Sequence, residues 1–295
     1  MIGIVLAGGT GTRLHPVTKA LSKQLLPVYD KPMIYYPIAT LMLAGIREIV
    51  IITTTHDQPH FKKLLGDGKQ FGVVFNYLIQ PEPRGIAEAF ILAEDYIHGK
   101  KSVLILGDNI FHGTSLGTQL TKYQNLSGAQ VFGYHVANPQ DYGVVTLDST
   151  GKPISIEEKP LKPMTNLAIP GLYFYDETVL QRATEVQPSD RGELEITSIN
   201  LSYLHEHKLS VEILPRGTAW LDTGTFETLH EASSYVRTLE LRQGFKIACL
   251  EEIAFRKNWI SRDQVRQMIQ DNKSTSLGKY LDMILIDVEK SKLHV

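Results

Sequence analysis

The stretch that decides the fold is Ile2-Gly3-Ile4-Val5-Leu6-Ala7-Gly8-Gly9-Thr10-Gly11-Thr12-Arg13-Leu14. Its first half is a short apolar run rich in β-branched residues, which reads as a strand over 2–6. Its second half places three glycines in four positions. Glycine lets a backbone come close to a ligand, and successive free N–H groups over residues 8–12 form an anion nest. Arg13 adds a forked cation suited to phosphate oxygens. Two standard phosphate motifs fail on inspection. A Walker loop needs lysine directly after its last glycine, and none follows here until Lys19. A dinucleotide fingerprint needs a third glycine where Leu14 stands, which disfavours an NAD-linked oxidoreductase. The plainer alternative is a tight strand–helix turn with no ligand, since glycine is also simply a turn residue.

Moving outward, residues 48–53, 74–78 and 102–106 read as further strands, and 33–44, 57–65, 86–97 and 115–125 as helices. This alternation predicts an α/β chain with a doubly wound, mostly parallel sheet. Continuous apolar runs such as Ile49-Val50-Ile51-Ile52 suit strands buried on both faces. The middle changes character. Residues 130–136, 143–147, 153–158 and 169–175 read as strands separated by turn signals, so a β-rich insertion or sheet extension is expected there. Past residue 226 the pattern turns helical, over 226–243, 262–271 and 276–284.

Of the 295 residues, 43% are hydrophobic and 21% charged, an ordinary globular balance that excludes a disordered or collagen-like chain. Thirty basic against thirty-two acidic residues leave no electrostatic footprint for duplex nucleic acid. The single cysteine, Cys249, excludes an intrachain disulfide and a cysteine zinc cluster. No apolar run approaches the ~20 residues of a membrane helix. The start lacks a basic segment of the secretory type, so a cytoplasmic protein is expected.

Several side chains stand out singly. Asp108 directly follows the apolar run 103–107, at the carboxyl end of an expected strand, where open α/β sheets bind ligands. Asp222 follows Ala219-Trp220-Leu221 in the same manner. Alone, a strand-end aspartate reads equally as a turn former or helix cap. The Gln80 amide offers both a donor and an acceptor. Glu157-Glu158-Lys159 alone is a solvated charge run.

Together these residues carry a resemblance. The opening stretch is followed by Ser22-Lys23-Gln24-Leu25-Leu26-Pro27-Val28-Tyr29-Asp30-Lys31-Pro32-Met33-Ile34-Tyr35-Tyr36-Pro37. Then come Gln80-Pro81, Leu106-Gly107-Asp108-Asn109, Glu157-Glu158-Lys159-Pro160, Gly171-Leu172-Tyr173-Phe174-Tyr175-Asp176, Arg191-Gly192-Glu193-Leu194-Glu195-Ile196-Thr197 and Trp220-Leu221-Asp222-Thr223-Gly224. Spread over nearly the whole chain, they resemble the sugar-nucleotide pyrophosphorylases, and most closely the branch that joins dTTP to glucose 1-phosphate. The resemblance implies a Rossmann-like mixed sheet, a catalytic core over 1–225 and a C-terminal helical extension over 226–295. The nucleotide half would be about 1–128 and the sugar half about 129–225.

The resemblance also implies roles. Arg13, Lys23, Asp108, Lys159 and Asp222 would be catalytic, and Asp108 and Asp222 would hold Mg²⁺. Leu6, Gly8, Gly9, Thr10, Gly11, Thr12, Lys23, Gln24, Gln80 and Gly85 would bind the nucleotide. Tyr142, Gly143, Glu158, Lys159, Ile169, Arg191 and Trp220 would bind the sugar phosphate. The product would be dTDP-glucose with pyrophosphate, a first step toward dTDP-deoxysugars such as dTDP-rhamnose. The stretch Glu251-Glu252-Ile253-Ala254-Phe255-Arg256 implies a regulatory nucleotide site within a homotetramer. Departures occur at Arg84 and Glu88, where the commoner pattern has Asp and Gln, and at Ile169-Pro170, where Val-Thr is common. The first two flank the expected base pocket and bear on nucleotide preference. A UTP-preferring enzyme and a non-catalytic nucleotide-binding regulator are the alternatives. The second would be marked by loss of Arg13, Lys23, Asp108 or Asp222, and all four are present.

Overall fold

The computed structural model describes residues 1–9 and 11–292. Thr10 of the expected anion nest lies outside the described residues. The first half runs β1 (Ile2–Ala7), the hairpin β2 (Pro27–Val28) and β3 (Lys31–Pro32), α1 (Tyr35–Leu43), β4 (Glu48–Thr53), α2 (Gln58–Leu65), β5 (Val74–Ile79), α3 (Glu88–Leu92), α4 (Glu94–Ile97) and β6 (Ser102–Leu106). The second half runs β7 (Asn109–His112), α5 (Leu116–Thr121), β8 (Ala129–His135), β9 (Gly143–Leu147), β10 (Pro153–Glu158), β11 (Leu167–Ala168), β12 (Leu172–Tyr175), α6 (Val179–Glu185), α7 (Ile196–His205), β13 (Leu209–Ile213) and β14 (Ala219–Asp222). The chain then continues through α8 (Phe226–Gln243), α9 (Leu250–Arg256), α10 (Arg262–Asp271) and α11 (Ser276–Lys292).

A ten-stranded sheet forms the centre, in the order β10-β9-β11-β8-β12-β6-β1-β4-β5, with β13 paired to β8. Strands β6, β1, β4 and β5 are parallel. Strand β12 joins β6 antiparallel and begins the extension. The chain leaves β1 toward β4 and β5, then returns to β6 on the other side of β1. The carboxyl ends of β1 and β6 therefore flank a topological switch point, the usual ligand crevice of such sheets.

Side chains alternate between two cores. Val5, Ile49, Ile51, Val103 and Ile105 enter one cluster. Ile4, Val50, Ile52 and Leu104 enter the other. Both faces are covered, as the unbroken apolar runs require. The helices after α8 sit in the first cluster beside α1, through Leu250, Phe255, Val265 and Leu281. Helix α8 closes a third cluster with Val28, Met33, Tyr36 and Ile110. Asp30, Lys31, Glu240 and Lys246 ion-pair across that joint and tie the β2–β3 turn to the end of α8.

Several local expectations change. No α-helix follows the glycine-rich loop; 3₁₀ turns over Thr12–Leu14, Val17–Lys19 and Lys23–Leu25 stand there instead. The expected strand 169–175 is shortened to β12 and separated from β11 before it, because Pro170 has no N–H to donate and the Gly171 N–H is taken by the Asn109 side chain. The expected helix 86–97 divides at Ala93 into α3 and α4.

Candidate active site

Asp108 stands at the switch point. The Gly107 N–H donates to Leu6 O at 2.9 Å, so the turn after β6 is fastened to the end of β1. Asn109 begins β7, which pairs antiparallel with β14 so that Asn109 faces Asp222. That ladder brings Asp222 beside Asp108, although the two are distant in sequence. Thr223 locks the junction by donating from Oγ1 to Asp108 O at 2.8 Å.

The electrostatics follow from this placement. Burial pushes the Asp108 carboxyl up, but the Lys23 ammonium outweighs it by charge and hydrogen bond. The net effect holds Asp108 below the usual carboxylate range. Asp222 moves the other way. Burial raises it, the like charge of Asp108 raises it further, and Lys23 and Arg13 only partly offset this. Two carboxylates that repel each other in a shared site are a hard-oxygen pair suited to a divalent cation. Magnesium typically takes one or two protein carboxylates and fills its remaining positions with phosphate and water. The residues present fit that group. Arg13 approaches from the loop side: a Cβ on Gly224 would meet Arg13 Nη2 at 3.0 Å and Asp222 Oδ1 at 3.1 Å.

Asn109 is a hub that sequence reading passed over. Its Oδ1 accepts from the Gly171 N–H at 3.1 Å and from Trp220 Nε1 at 2.6 Å. Its Nδ2 donates to Asp108 Oδ1 at 3.1 Å. One buried amide thus orients the carboxylate and holds the indole. Trp220 packs edge-on against Tyr142, with ring centroids 5.0 Å apart.

A cavity of about 200 Å³ opens over these groups. Arg13, Asp108, Tyr142, Gly143, Glu158, Lys159, Ile169, Trp220 and Asp222 all line it. At its far end Glu158 Oε2 accepts from Thr197 Oγ1 at 2.6 Å. Arg191 lies at 3.5 Å from Glu158 Oε1 and bonds Glu195 more closely, at 2.8 Å, so it braces the site from the rim. Lys159 takes a left-handed φ of 43°, a strained conformation for a side chain of its kind and one that clusters at functional sites. Among the described residues neither Arg13 nor Lys159 has a hydrogen-bonded or ion-paired partner for its side chain. Both cations remain available for phosphate.

The expected nucleotide residues gather on the β1 side. Gln80, directly after β5, is 3% exposed and reaches Gly8: a Cβ on Gly8 would sit 2.7 Å from its Oε1. Only glycine allows that approach. Gly9 and Gly11 lie against the Lys23 side chain. Thr12 begins the first 3₁₀ turn, and Leu6 is the penultimate residue of β1. These residues lie beside the cavity and do not line it, Gln24 included. Gln24 is buried beneath Gly107, and its Oε1 accepts from Ser22 Oγ at 2.6 Å. Arg84 turns to its own loop and bonds Glu82. Sequence reading assigned no role to Asn109, Tyr173, Glu195 or Thr197, which also shape the site. All four fall inside the quoted motifs, and adjacency to the named residues was the available signal.

A family model described as nucleotidyl transferase matches residues 2–238. The chain belongs to the nucleotidyl transferase family. This nucleotidyl transferase is 54% identical to a glucose-1-phosphate thymidylyltransferase of Mycolicibacterium smegmatis, over 97% of the chain and 99% of the relative. It is 53% identical to one of Xanthomonas campestris pv. campestris, over 95% of each. A solved Bacillus anthracis structure assigned to the same activity, in complex with sucrose, superposes with a TM-score of 0.74 at 40% identity, covering 80% of this chain and 96% of that one. A UDP-glucose pyrophosphorylase complexed with UDP-glucose shares the fold, with a TM-score of 0.72 at 23% identity over 81% of this chain and 98% of that one. Among the described residues no helix is long and apolar enough to cross a membrane.

Proposed function

We propose that this nucleotidyl transferase joins dTTP to glucose 1-phosphate, making dTDP-glucose and pyrophosphate. The observation that carries the reading is the cavity in which a carboxylate pair, the Arg13 and Lys159 cations and the Glu158 carboxylate converge. A sugar-phosphate oxygen attacks the α-phosphorus in line. The new O–P bond forms as the bond from the α-phosphorus to the bridging oxygen of the pyrophosphate breaks. The attacking oxygen is already anionic, so no base has to remove a proton. Positioning and charge neutralisation carry such transfers. Arg13, with the loop over residues 8–12 and Lys23, takes up charge on the departing pyrophosphate. Lys159 draws in the sugar phosphate, and Glu158, fixed by Thr197, accepts hydrogen bonds from sugar hydroxyls. Trp220 and Tyr142 wall the sugar, and Ile169 and Gly143 floor it. Asp108 and Asp222 would hold Mg²⁺, which when bound supplies positive charge to the triphosphate oxygens.

In this reading the catalytic core is 1–225, with Gly8 and Asp222 near its limits. Residues 226–295 serve oligomerisation and regulation, in a homotetramer working in the cytoplasm. Exposed Leu241 and Phe245 at the end of α8 support an interface there. A cavity of about 440 Å³ between α1, α5 and Lys257 supports a regulatory pocket.

The test is pyrophosphate release from dTTP, glucose 1-phosphate and Mg²⁺, with UTP in competition. Asp108→Asn should keep the fold and lose most of the activity. No release by the native chain between about pH 6 and 9, a window around the working range of general enzyme chemistry, overturns the activity. Full turnover by Asp108→Asn overturns the metal assignment.

A further inference from the structure

Asp57 stands at the residue that opens α2, where an aspartate ordinarily caps its own helix. Here the side chain makes no such bond. Its Oδ1 accepts instead from the Ser22 N–H at 3.1 Å, 35 positions away in sequence. Its Oδ2 accepts from Thr54 Oγ1 at 2.7 Å, and its own N–H donates to that hydroxyl at 3.1 Å, so the carboxylate is braced from behind. His56 Nδ1 lies 3.3 Å from Oδ1 on the solvent side. The contact is sealed, with both Ser22 and Asp57 buried. Among the described residues only 3₁₀ turns lie between β1 and Ser22, and that stretch carries Arg13. From Ser22 onward the chain is tied closely. Ser22 O accepts from the Leu25 N–H at 3.0 Å, Ser22 Oγ donates to Gln24 Oε1, and Gln24 O accepts from the Ile34 N–H at 2.9 Å. Between them Lys23 sends its ammonium to Asp108 Oδ2.

We infer that Asp57 is a positioning residue: it turns from its own helix to hold Ser22, and through Ser22 it sets Lys23 against Asp108. This rests on the proposed nucleotidyl transfer and adds to it a residue that lies outside the cavity. A carboxylate on a buried peptide N–H makes a charge-assisted bond, stronger than one between neutral groups. Without it the 3₁₀ turn over Lys23–Leu25 keeps its internal bonds and loses its tie to the segment after β4. Lys23 and the loop that carries Arg13 then lose their fixed distance from the carboxylate pair. The groups proposed for the sugar on β9, β10 and α7 have no part in this tie.

The experiment compares the native protein with Asp57→Ala and Asp57→Asn by two readouts. Amide hydrogen exchange without ligand reports the tie itself. In Asp57→Ala, exchange over residues 11–26 should quicken about tenfold or more, as loss of a hydrogen bond to a charged group implies. Pyrophosphate release from dTTP and glucose 1-phosphate reports its use. There kcat should fall about tenfold to a hundredfold, because a small misplacement of a charged group costs that much. KM for glucose 1-phosphate should stay within about twofold of native. Asp57→Asn keeps an acceptor oxygen for the Ser22 N–H and should recover most of both losses. A purely structural role would lower the urea midpoint and speed exchange in α2 without moving the kcat of the folded enzyme. Exchange over 11–26 that is unchanged, a kcat within about twofold of native, or a rise in the sugar KM that matches the fall in kcat overturns the inference. Should Asp57→Ala fail to fold, Ser22→Pro removes the same bond from its other end, at a φ of −55° that proline adopts, and is read in the same way. Should the native protein release no pyrophosphate, the proposed reaction fails separately, and exchange over 11–26 then decides alone whether Asp57 holds the loop.

Discussion

Asn109→Ala is the most informative substitution outside the charged groups. The native side chain is 4% exposed and makes three hydrogen bonds, to Gly171, Trp220 and Asp108. Alanine leaves the Gly171 N–H and the Trp220 indole N–H without an acceptor. Each orphaned buried donor costs about 1–3 kcal/mol, so the loss should be about 2–6 kcal/mol. Against a typical domain stability of about 5–15 kcal/mol, that is a large fraction. Urea unfolding followed by tryptophan emission measures it directly, since Trp220 is one of only two tryptophans. Its emission should shift in the folded state as the indole loses its partner. Turnover should fall as well, because Asp108 loses the donor that orients it. A stability loss below about 1 kcal/mol, the net worth of one ordinary hydrogen bond, together with an unshifted emission would refute the view of Asn109 as a hub.

Arg13→Ala should lower kcat more than it raises KM for glucose 1-phosphate, since its charge acts on the departing pyrophosphate; a rise in the sugar KM alone would move Arg13 to the other substrate. Gly8→Ala would drive a Cβ to 2.7 Å from Gln80 Oε1, so the dTTP KM should rise about tenfold or more through displacement of that amide; unchanged nucleotide kinetics would mean that Gln80 does not touch the base. For Asp30, burial raises the carboxyl, but Lys246 and then Lys31 outweigh burial and hold it below its ordinary 3.8. A carboxyl depressed by folding stabilises the fold above its unfolded pKa and loses that share as pH falls through the folded value. Asp30→Asn should therefore be less stable than the native chain near neutrality, with the gap closing below about pH 4; urea midpoints across that range check it, and a gap independent of pH counts against the assignment.

The glycine loop, Arg13 and Asp108 are legible in the sequence because each is local: a strand, a turn and a charge in one short window. The parallel half is legible too, since runs such as Ile49-Val50-Ile51-Ile52 suit doubly covered strands and alternate with helical patterns. Other features depend on partners distant in the chain. Nothing near Asp222 says that β14 will pair with β7, and nothing near Asn109 says that Trp220 and Gly171 will share its oxygen. Helix α7, Ile196-Thr197-Ser198-Ile199-Asn200-Leu201-Ser202-Tyr203-Leu204-His205, is rich in β-branched, Ser and Asn residues that carry a weak helical signal. Its burial through Ile196, Ile199 and Tyr203 overrides that propensity. Gln24 shows the reverse limit: a residue inside a motif whose side chain serves the packing beneath the turn.

The change from parallel to antiparallel pairing has a consequence for how such a protein can diversify. Apart from β14, which carries both Asp222 and Trp220, the groups proposed to grip the nucleotide hang from β1, β5 and β6, while those proposed for the sugar hang from β9, β10 and α7, beyond the seam where β12 joins β6. Each ladder can accumulate substitutions without disturbing the register of the other. The sugar preference is therefore free to drift while the nucleotide grip stays fixed. The same division marks where a chimera with a relative of different sugar preference should be spliced: at β12, inside the sheet, rather than at any surface loop.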